Sequence, residues 1–285
     1  MQAKIWDVLT QMPADQDFQA YHTVDEVWNN FIMHSHPYIE VYFFISGSIE
    51  IMVEDHLYQI QPWDMLIFPA GVMHKNMPVG NNLNYERAFI YATDNLLCSA
   101  SRPECNLYEI FHTAAKNGQH HFRAGEEAVR NIVEKIDGVI ALADDPSPSA
   151  QLINYCQMVI VLTLVSDIIR VPASNGFAAP DFKVSQILNY LNGHFTEEIS
   201  LNDLANRFYT SKFHLLREFK EYTGTTIHQY LMEKRLVYAQ LLLQSGTAPM
   251  EAAAACGFTD YAGFYRAFKR STLVSPQEYQ KNQKR

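Results

Sequence analysis

The hydrophobic pattern divides the chain into a strand-rich part followed by a helical part. Between about residues 30 and 92, short apolar and aromatic runs alternate with turn signals such as Gly47 and the Pro-Ala-Gly stretch at 69–71. The predicted strands cover residues 36–46, 48–53, 56–60, 65–68 and 85–91. Short strands at such even spacing favour a barrel or a sandwich.

The pattern becomes helical from about residue 104. Residues 126–142 carry apolar side chains at helical spacing, and a polar, proline-containing stretch at 144–149 ends this helix. Residues 150–170 form a second predicted helix, which is apolar enough to approach membrane-span length but is interrupted by polar groups such as Asn154 and Asp167. We therefore expect a buried or dimer-forming helix with no membrane contact. The side chains expected to be covered, in part by a second chain, are Leu152, Val159, Leu162 and Val165.

The last hundred residues contain the same two-helix pattern twice. In the first copy, Ser200 begins a short helix, and a second helix begins at Thr210 or Ser211 and ends before Gly224. In the second copy, an alanine-rich helix, a Gly-Phe turn and a helix capped by Asp260 follow one another. Two helices joined by a tight turn, the second carrying an exposed arginine, are typical of a DNA-binding helix-turn-helix.

A longer predicted helix, 226–244, connects the two copies. Thr226 and Gln229 form a capping-box pattern at its start. At a rise of about 1.5 Å per residue its length is roughly 28 Å. Such a helix can hold two recognition helices about one DNA turn, roughly 34 Å, apart, so one chain can enter two successive major grooves.

Residues 183–281 resemble the DNA-binding domain of AraC-type transcription regulators. Matching motifs include Leu204-Ala205, Thr223-Gly224, Gly257-Phe258 and Phe268-Lys269. The sequence departs from the family's pattern where the family usually has isoleucine, isoleucine, glycine and arginine; these positions hold Pro249, Ala252, Leu273 and Gln280. We therefore expect the second subdomain to be less tightly packed than the first.

The resemblance implies specific DNA contacts on the second helix of each pair. The base-reading residues that it implies are Phe213, Leu216, Arg217, Tyr261, Ala262, Gly263, Tyr265 and Arg266. Arg217 and Arg266 are the best candidates for bidentate hydrogen bonds to guanine. The candidates for phosphate contacts are Lys212, Lys220, Lys269 and Arg270.

The strand-rich part carries a pattern of histidines and a glutamate at even spacing. On an extended strand, side chains two residues apart share a face, so one face is predicted to hold His34, His36, Tyr38, Glu40, Tyr42 and Phe44. His74 follows the turn at 69–71, and the whole string resembles the two cupin motifs, except that Trp63 stands where the second motif begins with glycine.

The cupin resemblance leaves two interpretations of these residues open. In metal-binding cupins, the positions of His34, His36, Glu40 and His74 hold a divalent metal, and this ligand set suits a first-row transition metal. In AraC-type sensing domains the same pattern often serves as pocket lining and strand pairing. We expect the even-spaced face and His74 to line an effector pocket in either case.

Charge and cysteine content refine this picture. The chain has a net charge of −9, but residues 181–285 carry 13 Lys and Arg against 10 Asp and Glu, so the basic excess lies in the segment assigned to DNA. The four cysteines show no CxxC pairing, and the N-terminus lacks the pattern of a signal peptide. Both observations favour a cytoplasmic protein with free thiols.

The sequence therefore predicts a two-domain protein. Residues 1–172 form an all-β cupin-like barrel with a helical dimerisation hairpin, 173–180 a linker, and 181–285 an all-α domain with two helix-turn-helix subdomains. The expected function is transcription regulation by a homodimer that binds double-stranded DNA and a small effector, such as a sugar or another polar metabolite, with RNA polymerase as a candidate partner. The alternatives are a metal-dependent cupin enzyme fused to a DNA-binding domain and an architectural DNA binder; the aromatic-lined barrel disfavours the latter.

Overall fold

The computed structural model describes residues 12–13, 15–25, 32–80, 84–171, 177–178 and 182–282. Most of the predicted linker, and the first residues of the chain, lie outside these ranges. The strands are β1 (Phe18–Asp25), β2 (Ile39–Ser46), β3 (Ile49–Val53), β4 (His56–Gln59), β5 (Asp64–Phe68), β6 (His74–Pro78), β7 (Tyr85–Ala92), β8 (His121–Arg123) and β9 (Phe177–Ala178). They form a five-stranded sheet in the order β1-β7-β2-β5-β8 and a four-stranded sheet in the order β6-β3-β4-β9.

Strand β2 shows how the barrel uses both faces of its strands. Val41 and Phe43 are fully buried and pack in the cluster that the following helices cover, whereas Tyr42 and Phe44 point into the cluster between the two sheets. Side chains alternate between the faces of a strand, so one continuous apolar run supplies both cores. This alternation directs the even-numbered residues of β2 towards the barrel interior.

Four strands lie outside the predicted set. Strand β1 pairs with β7, β6 pairs with β3, β8 pairs with β5, and β9 pairs with β4. Strand β9 falls inside the segment that composition assigns to a linker, so residues 177–178 extend the barrel's smaller sheet. Residues 177–178, which precede the helical part of the chain, are therefore bonded to the barrel by backbone pairing.

Four helices follow the last long strand of the barrel: α1 (Asp94–Ala100), α2 (Leu107–Lys116), α3 (Glu126–Leu142) and α4 (Pro148–Ile169). Helix α4 packs along α3, and its residues Leu162 and Val165 are fully buried. By length and composition, α4 is long and apolar enough to cross a membrane, but its buried side chains belong to the barrel's core cluster. Leu152 was expected to be covered; in the single chain it is 65% exposed, and Ile153 and Ile160 are exposed beside it.

The C-terminal part is entirely helical across its described residues. Its helices are α5 (Phe182–His194), α6 (Leu201–Arg207), α7 (Lys212–Thr223), α8 (Ile227–Gln244), α9 (Pro249–Ala255), α10 (Tyr261–Thr272) and α11 (Pro276–Asn282). Helices α5 to α7 surround one core and α9 to α11 surround another, and α8 contributes buried residues to both. Two helix-turn-helix units, α6–α7 and α9–α10, are thus held by one connecting helix.

The helix ends follow from local chemistry. The side chains of Ser200, Ser211 and Asp260 each accept a hydrogen bond from a backbone N–H of the first turn that they cap. Thr226 and Gln229 form a reciprocal capping box at the start of α8. In the turn between α9 and α10, Gly257 has φ +77, and a Cβ there would lie 2.1 Å from the carbonyl oxygen of Thr196, so no side chain fits.

Candidate effector cavity and DNA-reading surfaces

A cavity of about 530 Å³ lies between the barrel and the helical domain. Its barrel side includes a polar floor of histidine, glutamate and arginine and walls of tyrosine and phenylalanine. The other side consists of residues from α8 and α10. The lining includes His34, His36, Tyr38, Glu40, Tyr42, His74, Asn76, Arg87, Phe89, Tyr91, His228, Gln229, Met232, Glu233, Leu236, Ala267, Arg270 and Ser271.

His36, Glu40 and His74 converge at the floor of this cavity. Their ligand atoms all lie within 4.8 Å of one another, and all three residues are buried. His36 Nε2 lies 2.9 Å from Glu40 Oε2, and His74 Nε2 lies 3.3 Å from the same oxygen. The His74 ring is stacked on Phe68 at a centroid distance of 4.2 Å, which fixes its orientation.

The hydrogen bonds of the two imidazoles determine where their lone pairs point. His36 Nδ1 donates to the carbonyl of Tyr38 at 2.8 Å, and His74 Nδ1 donates to the carbonyl of Val72 at 3.0 Å. A carbonyl oxygen can only accept, so both Nδ1 atoms carry the proton and both Nε2 atoms face Glu40. Within the described part of the chain, His74 Nε2 has no hydrogen-bond partner.

This arrangement fits a divalent metal. Burial lowers the pKa of His36 and outweighs the opposing effect of Glu40, which favours the neutral form of its imidazole. Burial alone would raise the pKa of Glu40, but its contacts with His36 and His74 bring that pKa well below the usual range. Two imidazoles and one carboxylate, with each Nδ1 fixed by a backbone carbonyl, are the donor set and outer-shell arrangement of a transition-metal site.

Two residues of the predicted pocket face lie differently from the rest. His34 lines the cavity and its ring centroid is 4.3 Å from that of His74, but it does not belong to the cluster of converging ligand atoms. Burial lowers the pKa of His34 to about 3, and the neighbouring imidazoles add to this effect. Phe44 lies deeper, with its ring 6.3 Å from that of Tyr85, and does not line the cavity.

A second polar group of the floor lies on β7. Arg87 is 5% exposed, and its guanidinium donates to Asp25 at 2.6 Å. The same guanidinium lies 4.5 Å from the centre of the Tyr85 ring. Tyr85 is hydrogen-bonded to Tyr42, and Asn76 donates to its hydroxyl at 2.9 Å. Arg87 and Asn76 thus bring hydrogen-bond donors to the lining of the cavity that also contains Glu40.

The connecting helix α8 is anchored to the barrel on a neighbouring face. Lys234, which is 9% exposed, donates to both oxygens of Glu54 in the β3–β4 turn, at 3.0 and 3.3 Å. Asn192 of α5 bonds to the same carboxylate and accepts a 2.7 Å hydrogen bond from Lys234. A buried cation with a carboxylate and an amide oxygen as partners fixes the rotation of α8 over the cavity.

Apolar and backbone contacts strengthen this junction between the domains. Met33, Met52 and Met73 of the barrel belong to the same buried cluster as the core of the first helix-turn-helix unit. The N–H of Met33 donates to the carbonyl of Thr223 at 3.0 Å, and Lys75 Nζ donates to the carbonyl of Tyr222 at 3.1 Å. The last turn of α7 is therefore bonded to the barrel.

The predicted base-reading residues of the first unit lie on α7. Phe213 is 75% exposed, Arg217 is exposed and Leu216 is half-buried at the edge of the core. Arg217 has only loose side-chain contacts, 3.3 Å to His214 Nδ1 and 3.9 Å to Glu221. Lys212 and Lys220 are exposed on the same helix. The surface of α7 is open for contact with DNA.

Helix α10 carries the corresponding residues of the second unit. Tyr261, Tyr265 and Arg266 are exposed, as are Ala262 and Lys269, whereas Gly263 is half-buried. Arg270, predicted to contact phosphate, also lines the cavity together with Ala267 and Ser271. One face of α10 is thus open to solvent and the adjoining face borders the cavity.

Sequence reasoning missed the α8 and α10 residues of the cavity, together with Arg87, Asn76, Phe89 and Tyr91. Arg87, Phe89 and Tyr91 are alternate residues of β7 and therefore share one face of the strand. The alternation of side chains along a strand would have identified them as one face of a pocket. No comparable signal marks Glu233, which has the sequence context of an exposed charge on a helix.

Comparison with known proteins gives two domain matches and related regulators. Residues 204–282 match a helix-turn-helix domain family, and residues 22–80 match a cupin domain family. The chain is 26% identical to an uncharacterised HTH-type transcriptional regulator, YbfI of Bacillus subtilis, over 82% of this chain and 81% of that protein. It is 30% identical to the HTH-type transcriptional activator RhaS of Citrobacter koseri, over 57% of this chain and 59% of that protein.

Among solved structures, the DNA-binding domain of the transcriptional factor AdpA in complex with a target DNA is 28% identical to this chain. The match covers 35% of this chain and 90% of the AdpA domain, with a TM-score of 0.34.

Proposed function

We propose that this chain, which belongs to the AraC family of DNA-binding transcription regulators and carries a cupin N-terminal domain, responds to a small polar effector in the cavity between its domains. The observation that carries this proposal is the cavity itself. It combines a buried polar floor, aromatic walls and a volume of about 530 Å³, features typical of small-molecule sites. Its other wall is the helix that connects both DNA-reading units, so an occupant contacts the DNA-binding domain.

The proposed cofactor is a divalent transition metal at His36, Glu40 and His74. Bound there, a metal would supply an electrophilic centre that holds an oxygen of the effector. The residues themselves orient the effector in either case, because the carboxylate of Glu40 accepts hydrogen bonds at the floor of the cavity. We propose a binding role and no catalytic role for this cluster, in line with relatives that are transcriptional regulators.

We also propose an oligomeric state and a cellular location for this chain. The exposed apolar side chains of α4, Leu152, Ile153 and Ile160, favour a homodimer in which α4 of one copy covers α4 of the other. The cytoplasm is the proposed location, where DNA and RNA polymerase are both present as partners. The four cysteines are free thiols in the structure, in keeping with that compartment.

The experiment that tests the DNA-reading part is selection of binding sites from randomised duplex oligonucleotides, followed by affinity measurements. Arg217→Ala and Arg266→Ala should each cost about 1–3 kcal/mol at the selected site and relax base preference at different positions, one helical turn apart. Lys281→Ala removes an exposed charge from α11 and serves as the matched control. We expect the larger loss for Arg217, because the second unit departs more from the family's pattern.

An equal loss of affinity for selected and random DNA in both arginine variants would contradict the base-reading roles. In that case Arg217 and Arg266 would act as phosphate contacts, whose removal weakens all sequences uniformly.

A further inference from the structure

The turns of the two helix-turn-helix units hold equivalent residues of very different size. Tyr209, in the turn after α6, has φ +50 and is 97% exposed. Gly257 lies at the same point of the turn after α9 and has φ +77. The left-handed conformation favours glycine, but the first unit adopts it with a tyrosine. Backbone conformation alone therefore does not explain why the second unit has glycine here.

The surroundings of Gly257 explain the difference. A Cβ on Gly257 would lie 2.1 Å from the carbonyl oxygen of Thr196 and 2.7 Å from its carbonyl carbon. Thr196 lies in the loop between α5 and α6, so it belongs to the first unit. These are atoms of a planar peptide group, which cannot rotate away as the end of a side chain can. The two units are thus in direct backbone contact at this point.

Arg235 of α8 holds the loop that carries Thr196. Its Nε donates to the carbonyl of Phe195 at 2.6 Å, and its Nη2 donates to the carbonyl of Glu197 at 2.7 Å. The two bonded residues flank Thr196 on either side, and the planar guanidinium presents both donors in a fixed fork. The carbonyl group of Thr196 therefore has a fixed position relative to α8.

The same arginine lies near the turn of the second unit. Burial raises the pKa of the Cys256 thiol to about 12, and the guanidinium of Arg235 opposes this rise. On the other side of the loop, the Phe195 ring meets the Tyr238 ring of α8 edge-on, with centroids 5.3 Å apart. Arg235 thus stands where α8, the loop of the first unit and the turn of the second unit meet.

A direct contact between the units matters because DNA demands an accurate spacing. Each base pair moves the next one by about 3.4 Å along the DNA axis and rotates it by roughly 35°. Each unit is attached to α8 through its own apolar core, and packed helices can slide over one another by small amounts. The contact between Thr196 and Gly257 removes this freedom, because it joins the two units at a point away from α8.

We propose that Arg235, the loop 195–197 and Gly257 form a clamp that fixes the distance and rotation between the two recognition helices, so that one chain reads its two DNA sequences at one spacing only. Arg235 is a positioning residue, which acts through the loop and not through a contact with DNA. This inference rests on the proposed base-reading roles of α7 and α10.

The test uses the full-length chain and measures the loss of affinity when the spacing of a binding site changes. A site is selected from randomised duplexes, and one base pair is inserted or removed between the positions that respond to Arg217→Ala and Arg266→Ala. Fluorescence anisotropy gives the affinity for the selected and the altered sites. The wild type should bind either altered site about tenfold or more weakly, because one unit loses its base contacts. Arg235→Met should bind the altered sites within about threefold of the selected site, because it has a long side chain without donors.

Two matched pairs of variants separate the clamp from other effects. Lys281→Met removes the same charge from an exposed position of α11 and should keep the full wild-type loss at altered sites. Gly257→Ala places a Cβ against Thr196 and should reduce that loss, whereas Tyr209→Ala, at the equivalent exposed position, should not. Lower stability alone would weaken binding to all sites by the same factor and leave their ratio unchanged.

Three results would overturn the proposal. A wild type that binds the altered sites as well as the selected one has no fixed spacing, and this comparison needs no variant. A folded Arg235→Met with the full wild-type loss would mean that α8 alone sets the spacing, and the same result in Gly257→Ala would exclude the contact with Thr196.

Two further cases are distinguishable from these. If Arg235→Met does not fold, Arg235→Lys takes its place, because a single ammonium keeps the charge but lacks the fork; the full wild-type loss in that variant would also overturn the clamp. Failure to select any DNA site would contradict the base-reading roles themselves.

Discussion

Leu273 closes helix α10 in a conformation that suits glycine. Its φ is +64, in the left-handed region, and its side chain is 83% exposed. The preceding Thr272 donates to the carbonyls of Phe268 and Val274 at 2.9 and 3.0 Å, which holds the helix end in place. We expect Leu273→Gly to stabilise the protein, because it removes a steric penalty and gives up little buried surface.

The expected change in the free energy of unfolding of Leu273→Gly follows from two opposing effects. A left-handed conformation costs a residue with a Cβ roughly 1–2 kcal/mol. Glycine loses more backbone freedom on folding, by about 0.5–1 kcal/mol. With the middle of each range, the net gain is about 0.75 kcal/mol, or roughly 3–6 °C in the melting temperature of a domain of about 100 residues. Thermal and urea unfolding, followed by circular dichroism, measure both quantities.

The first helix-turn-helix unit supplies the matched control. Gly224 ends α7 with φ +79, and Thr223 donates to the carbonyls of Phe219 and Thr225 as Thr272 does to the equivalent carbonyls of its own unit. Gly224→Ala should destabilise the protein by about 1 kcal/mol, because it introduces the penalty that Leu273→Gly removes. The built Cβ would also lie 3.4 Å from Ile32. A loss of stability in Leu273→Gly, or no loss in Gly224→Ala, would refute this reasoning.

The remaining predictions concern assembly, the domain junction and the metal. Ile160→Glu should convert a dimer at micromolar concentration into a monomer in sedimentation experiments, whereas Gln151→Glu on the same helix should not. Lys234→Met should leave Glu54 without its cation, lower the unfolding free energy by about 1–3 kcal/mol and separate the melting transitions of the two domains. Zn²⁺ should bind with a stoichiometry of about one per chain, and Glu40→Gln should abolish that binding.

Each of these predictions has a contradicting result. A monomeric wild type would leave the exposed face of α4 without the proposed partner copy. A single unshifted melting transition in Lys234→Met would mean that the methionine contacts alone hold the junction. Zn²⁺ binding that survives Glu40→Gln would assign the metal to residues other than the floor cluster.

Sequence pattern predicted most of the fold because the relevant signals are local. Caps such as Ser211 and Asp260, and the glycine ending α7, each depend on residues within about one turn of helix. Strand β1 was not predicted because most of its residues are half-buried on both faces, which weakens the alternation of apolar and polar residues along the strand. Strands β8 and β9 are too short for any period to be recognised.

The candidate site was predictable on the barrel side only. Parity along one strand placed Glu40 and Tyr42 on a common face, and both line the cavity. The alternation of side chains along β2 could not separate Phe44 from the residues that line the cavity. How deep a side chain lies in the barrel depends on the curvature of its strand and on the packing of the opposite sheet. Glu233 lies far from the barrel in sequence, and its position over the floor depends on the packing of α8 against the β3–β4 and β5–β6 turns.

The position of α8 constrains how an effector can influence DNA binding. Its buried residues Tyr230 and Leu231 belong to the core of the first helix-turn-helix unit, while Ala239 and Leu243 belong to the core of the second. A rigid helix shared by two cores cannot move relative to one unit without carrying the other. A ligand that pulls α8 towards the barrel floor therefore changes the placement of both recognition helices relative to the barrel, and through the barrel relative to a second chain. The spacing between the two units within one chain should stay constant, so an effector should alter affinity for DNA with two copies of the site far more than affinity for one copy.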